Sequence, residues 1–121
     1  MHRLWLFLGA IAGLGAVALS AWAAHGAPAR LDARALGALD RGITMQGWHA
    51  LALVGVALWA DRQGGWLPNL AGAGFALGLL LFCGGVYASA LGGVSLGPLA
   101  PVGGSLLMGG WAMLAASALR R

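Results

Sequence analysis

Three stretches of this chain carry no charge: residues 4–29, 42–60 and 63–119. Every charged residue, all of them Arg or Asp, stands at an end or in a connection: Arg3, Arg30, Asp32, Arg34, Asp40, Arg41, Asp61, Arg62, Arg120 and Arg121. A helix rises about 1.5 Å per residue and a bilayer core is about 30 Å thick, so about 20 apolar residues span it. The first two runs are each one span long, and the third must hold two spans and a turn. The pattern predicts helices over about 4–24, 43–60, 68–90 and 99–119. His25-Gly26-Ala27-Pro28 stops the first, Asp61 to Trp66 forms a tight polar turn, and Leu91 to Pro98 breaks the long run.

Residues 29–41 follow a different pattern. Leu31, Ala35 and Ala38 or Leu39 share one helical face, with Arg30, Arg34 and Arg41 largely away from it. This predicts a short amphipathic helix lying in the interface between spans one and two. The fold class is therefore all-α: an integral membrane four-helix bundle with one short interfacial helix, in a single transmembrane domain. Small residues four apart, Gly9/Gly13, Gly74/Gly78, Gly85/Ser89 and Ser105/Gly109, allow helix backbones to approach closely. Such faces serve packing within the bundle or a homo-oligomer equally well.

Composition agrees. Hydrophobic residues make up 60% of the chain and charged ones 8%, where a soluble domain has about a quarter charged. The net charge of +4 comes from scattered arginines and forms no stripe that could track a phosphate backbone, so no nucleic acid is expected. Membrane lipids are the expected partners. Four arginines on the side of the termini against three on the other favour termini inside. Ala21-Trp22-Ala23 resembles a signal cleavage site, but the apolar stretch before it exceeds a signal core, and a retained span is expected. Cys83 is the one cysteine, and a small buried side chain is its simplest role.

The topology also says where intramembrane polar groups meet. His25 leaves span one, Gln46 and His49 enter span two, Tyr87 and Ser89 leave span three, and Ser105 enters span four, all on one side. The opposite half reads as mostly Leu, Ala, Val and Gly. Gln46 and His49, three apart on one helix face, form with Tyr87 and His25 the candidate functional cluster. A neutral His49 bonded to a carbonyl or to Tyr87 would pin spans two and three together; the competing role is ligand, proton or metal handling. No His pair at ligand spacing, no Cys/His pattern and no carboxylate lies within the spans, so no metal or other cofactor is expected. No nucleophile elbow or oriented His suggests catalytic residues, and no enzymatic activity is expected.

Four blocks resemble a known family: Ala24-His25-Gly26, Gln46 to Leu53 (Gln-Gly-Trp-His-Ala-Leu-Ala-Leu), Gly84-Gly85-Val86-Tyr87, and Pro101-Val102-Gly103-Gly104. In order and spacing they are similar to the YgdD/YwdK-like small four-span membrane proteins, a domain of unknown function. The chain departs from that pattern at Met45, where the family carries an aromatic, and over Leu19–Ala23. The resemblance implies four membrane helices, in the bacterial inner (cytoplasmic) membrane, and no established activity. Three functional readings follow: a non-enzymatic protein that organises the membrane or docks a lipid or partner; a transporter or channel subunit using His49, Gln46 and Tyr87; and a metal- or haem-binding membrane component.

Overall fold

The computed structural model describes residues 1–120, so Arg121, one of the arginines in the charge comparison, lies outside the described residues. Four helices follow in order: α1 (His2–His25), α2 (Ala33–Gln63), α3 (Leu67–Gly92) and α4 (Leu99–Leu119). All four are long and apolar enough to cross a membrane. Their outward faces carry Leu14, Val17, Leu51, Leu58, Leu80 and Met108, all exposed. That is the surface a protein offers to hydrocarbon rather than to water.

The interfacial helix is corrected. Residues 33–41 are the first turns of α2, continuous with span two over 31 residues. Asp32 caps the start, its Oδ1 accepting the Ala35 N–H at 2.8 Å, and no Pro interrupts the helix before Gln63. At about 1.5 Å per residue α2 is about 46 Å long, so its N-terminal turns rise above the bilayer core. The amphipathic face predicted from sequence exists, but protein covers it. Ala38 and Leu39 pack with Ala27, of the 3₁₀ turn Ala27–Ala29, and with Ala90 of α3.

Neighbours in sequence are neighbours in space: α1 packs on α2, α2 on α3, and α3 on α4. The core gathers around α3, with Phe75 and Val56 fully buried and Leu53, Leu107 and Trp5 nearly so. α2 and α4 stay further apart, and two tryptophan side chains bridge them: Trp111 donates to His49 and Trp59 to Ser117. Gly93, at φ 63°, turns the chain out of α3 in the left-handed region that favours glycine. The Gly93 and Val94 N–H groups then close the helix end on Ser89 and Ala88 carbonyls.

Three of the four small-residue pairs face a neighbouring helix. Gly9 meets α2 at Ala50, Gly74 and Gly78 meet α4 at Gly110 and Gly103, and Gly85 meets Ala100. Ser105/Gly109 is the exception, with Ser105 exposed, because α4 turns Gly103, Leu107 and Gly110 inward instead.

Candidate functional site

Gln46 and His49 sit less than a turn apart on α2, yet they serve different helix pairs. Gln46 points between α1 and α3. Its Nε2 donates to the Ala12 carbonyl of α1 at 2.9 Å, and its Oε1 accepts the Tyr87 hydroxyl of α3 at 2.7 Å. One amide thus ties three helices, using its donor and its acceptor on opposite neighbours.

His49 points between α3 and α4 and is 2% exposed. Its Nδ1 lies 2.7 Å from the Met45 carbonyl, and its Nε2 lies 3.0 Å from the Trp111 indole Nε1. A carbonyl can only accept and an indole N–H can only donate, so these contacts fit the neutral tautomer with the proton on Nδ1. The ring stands 5.7 Å from Phe75 and 5.8 Å from Trp111, and those two stack edge-to-face at 4.8 Å. His49 is therefore the polar member of an aromatic triad drawn from three helices.

Of the sequence-predicted cluster, Gln46 and Tyr87 are brought together. His49, three residues from Gln46, bonds to neither. His25 is exposed at the C-terminal end of α1 and takes no part in these bonds. Cys83 is buried, its thiol turned to the Gly42 carbonyl at 3.6 Å, and the Tyr87 ring packs on the bare backbone of Gly42. Among the described residues every buried side-chain nitrogen and oxygen has a partner, and no three His, Cys, Asp or Glu side chains converge.

Sequence reasoning missed Trp111, the partner of His49. It also missed that the other half of the bundle holds polar contacts of its own: Trp5 donates to Asn69 at 2.8 Å and Trp59 to Ser117 at 3.0 Å. The signal was present. An indole N–H that meets a neighbouring helix within the membrane needs an acceptor, so Trp5, Trp59 and Trp111 each called for a polar side chain at matching depth. Asn69, Ser117 and His49 are those side chains.

Between α1, α2 and α3 lies an open groove of about 610 Å³. Leu8, Ile11, Leu53 and Leu80 line it, and the bonded pair Gln46–Tyr87 stands at one end. Ala12, Ala76, Leu77, Leu79, Cys83 and Gly84 complete the lining. The groove follows the membrane-crossing parts of all three helices, so the medium it faces is hydrocarbon.

Comparison with known proteins agrees with this architecture. The model of the family described as "Protein of unknown function (DUF423)" matches residues 19–104. The chain is 38% identical to a UPF0382 membrane protein of Haemophilus influenzae, over 95% of this chain and 93% of the relative. It is 34% identical to the UPF0382 inner membrane protein YgdD of Escherichia coli K12, over 98% and 91%. To the UPF0382 membrane protein YwdK of Bacillus subtilis it is 32% identical, over 98% of each. No solved structure matches. The chain belongs to the DUF423 family and is a small multi-pass protein of the bacterial inner membrane.

Proposed function

We propose that this family member is a non-enzymatic membrane-organising protein that docks the acyl chain of a membrane lipid in the groove between α1, α2 and α3. The observation that carries the reading is the contrast between the groove and the polar groups around it. The groove is apolar along its length and opens sideways at membrane depth. The polar atoms of Gln46, Tyr87 and His49 are meanwhile engaged with one another, with the α2 backbone or with neighbouring helices. A transport path or catalytic centre needs polar groups with bonding capacity left for a substrate, and an ionisable group inside a membrane usually marks one. Here His49 has both ring nitrogens occupied, and its role is to hold helices. What the site can still accept is an apolar chain, and the surrounding lipid supplies that.

Gly84 offers the test. It lines the groove, and a Cβ built there meets nothing within 4 Å. Gly84→Leu should fill the groove while leaving the fold intact. Purified in mild detergent and analysed by native mass spectrometry, the wild type should retain bound diacyl lipid and the variant should lose it. Equal retention by two equally stable proteins would overturn the reading.

A further inference from the structure

A second concavity, of about 270 Å³, lies away from the groove where α2, α3 and α4 meet the membrane surface. Arg34 and Arg41 line one wall, Ser89 of α3 another, and Ser95 and Gly97 of the α3–α4 connection the rim. Seven residues is close to two helical turns, so the two side chains leave one face of α2 from backbone positions about 10 Å apart along its axis, and the Arg41 guanidinium folds back over Gly37 toward Arg34. Both arginines are exposed, and among the described residues neither has a carboxylate within ion-pairing distance. The nearby aspartates do not occupy them. Asp32 caps α2 on the Ala35 N–H, and Asp40 is exposed and absent from the lining.

The floor has a definite cause. Ala100 packs on the bare backbone of Gly85, which draws the start of α4 down against α3 and leaves the hollow beneath the arginines. That start carries no side-chain cap, so its partial positive charge adds to theirs. Arg41 immediately precedes the uncharged run of α2, which puts the pocket at headgroup level.

We propose that this pocket binds the phosphate of an anionic phospholipid headgroup, with Arg34 and Arg41 as charge partners and the Ser89 and Ser95 hydroxyls as hydrogen-bond donors. Unpaired guanidinium groups over hydroxyls match phosphate chemistry, and at this depth the lipid headgroups are its abundant source. The pocket is too small for a folded partner. It lies apart from the groove and reads the headgroup, whereas the groove reads the chain.

The test uses the full-length protein in nanodiscs of phosphatidylcholine doped with phosphatidylglycerol, followed by native mass spectrometry of retained lipid. The wild type should enrich phosphatidylglycerol over phosphatidylcholine. An arginine near the surface contributes enough to anionic-lipid binding that Arg34→Gln and Arg41→Gln should each reduce the preference about fivefold, and the double variant about 25-fold. Arg30→Gln, outside the pocket lining, should leave most of it. Gly84→Leu should leave the preference unchanged while removing the groove lipid, so the two sites fail separately. A preference that survives the double variant would overturn the proposal. So would inorganic phosphate stabilising the detergent-solubilised protein as well as phosphatidylglycerol does, which would make free phosphate the ligand.

Discussion

The two flanks of α3 are built on opposite rules. Toward α4 it presents Gly74, Gly78 and Gly85, and the backbones nearly touch: a Cβ on Gly78 would stand 2.8 Å from the Gly103 carbonyl oxygen and 2.9 Å from the Leu107 nitrogen. Toward α1 it presents Ala76, Leu80 and Gly84, and the helices part to leave the groove. Both flanks are apolar, so hydrophobicity does not distinguish them. In lipid, burying a leucine against protein gains little over leaving it in acyl chains, and close packing and interhelical hydrogen bonds decide which helices adhere. The glycine flank is a seam. The leucine flank is a surface that happens to face inward, tied at one end by Gln46 and at the other by Trp5 donating to Asn69.

The sharpest way to break this comparison is to give the seam a side chain. Gly78→Leu places branched carbons where α4 backbone now lies, and backbone cannot give way as a side chain does. Overpacking costs about 1–3 kcal/mol even where neighbours can shift, so this substitution should meet or exceed the top of that range. Detergent-solubilised protein should lose its cooperative thermal transition or aggregate on extraction. A variant as stable as wild type would mean that the seam is not where the bundle is held.

A middle-sized effect should come from the bridge across the wider gap. Trp111→Phe keeps an aromatic ring on Phe75 and removes only the indole N–H that His49 accepts. Interhelical hydrogen bonds in membranes average about 0.6 kcal/mol and reach about 1.7. Because Trp111 is half-exposed and His49 buried, the loss should fall near 1 kcal/mol. A double-mutant cycle of Trp111→Phe with His49→Leu, read by unfolding in mixed micelles, should give a coupling of about 0.5–1.5 kcal/mol. Zero coupling would leave Phe75 packing and the Trp59–Ser117 bond to join α2 to α4.

How much of this was legible in the sequence follows from which forces act locally. The four helices were, because charge exclusion from a bilayer is a property of each residue in turn. The Gln46–Tyr87 contact was also within reach, because topology placed two polar groups at one depth. Three things were not. The continuity of α2 through residues 33–41 depends on whether Ala38 and Leu39 find lipid or protein, and Ala27 and Ala90 decide that from far along the chain. The turning of His49 away from Tyr87 depends on how far apart two residues at i and i+3 point, about 60° on a helix, enough to enter different interfaces. The choice of Gly103 and Gly110 over Ser105 and Gly109 as the inward face of α4 is a matter of helix rotation. Spacing alone does not fix rotation when both faces carry small residues.

The smallest expected effect belongs to the groove flank, at Tyr87→Phe. The ring stays on Gly42 and only the hydroxyl that meets Gln46 at 2.7 Å is lost. Gln46 keeps its bond to the Ala12 carbonyl, so α1 stays tied to α2, and only the link onward to α3 goes. The freed amide oxygen faces the end of the groove rather than a closed core, which limits the penalty for leaving it unpaired. The cost should therefore lie near the membrane average of about 0.6 kcal/mol, below both earlier substitutions. Unfolding in mixed micelles measures it. A loss above about 2 kcal/mol would mean that the Gln46 relay, and not the packing of α1 on α2, holds the first helix in place. The two flanks of α3 would then differ in the kind of bond that joins them and not in how firmly they are joined.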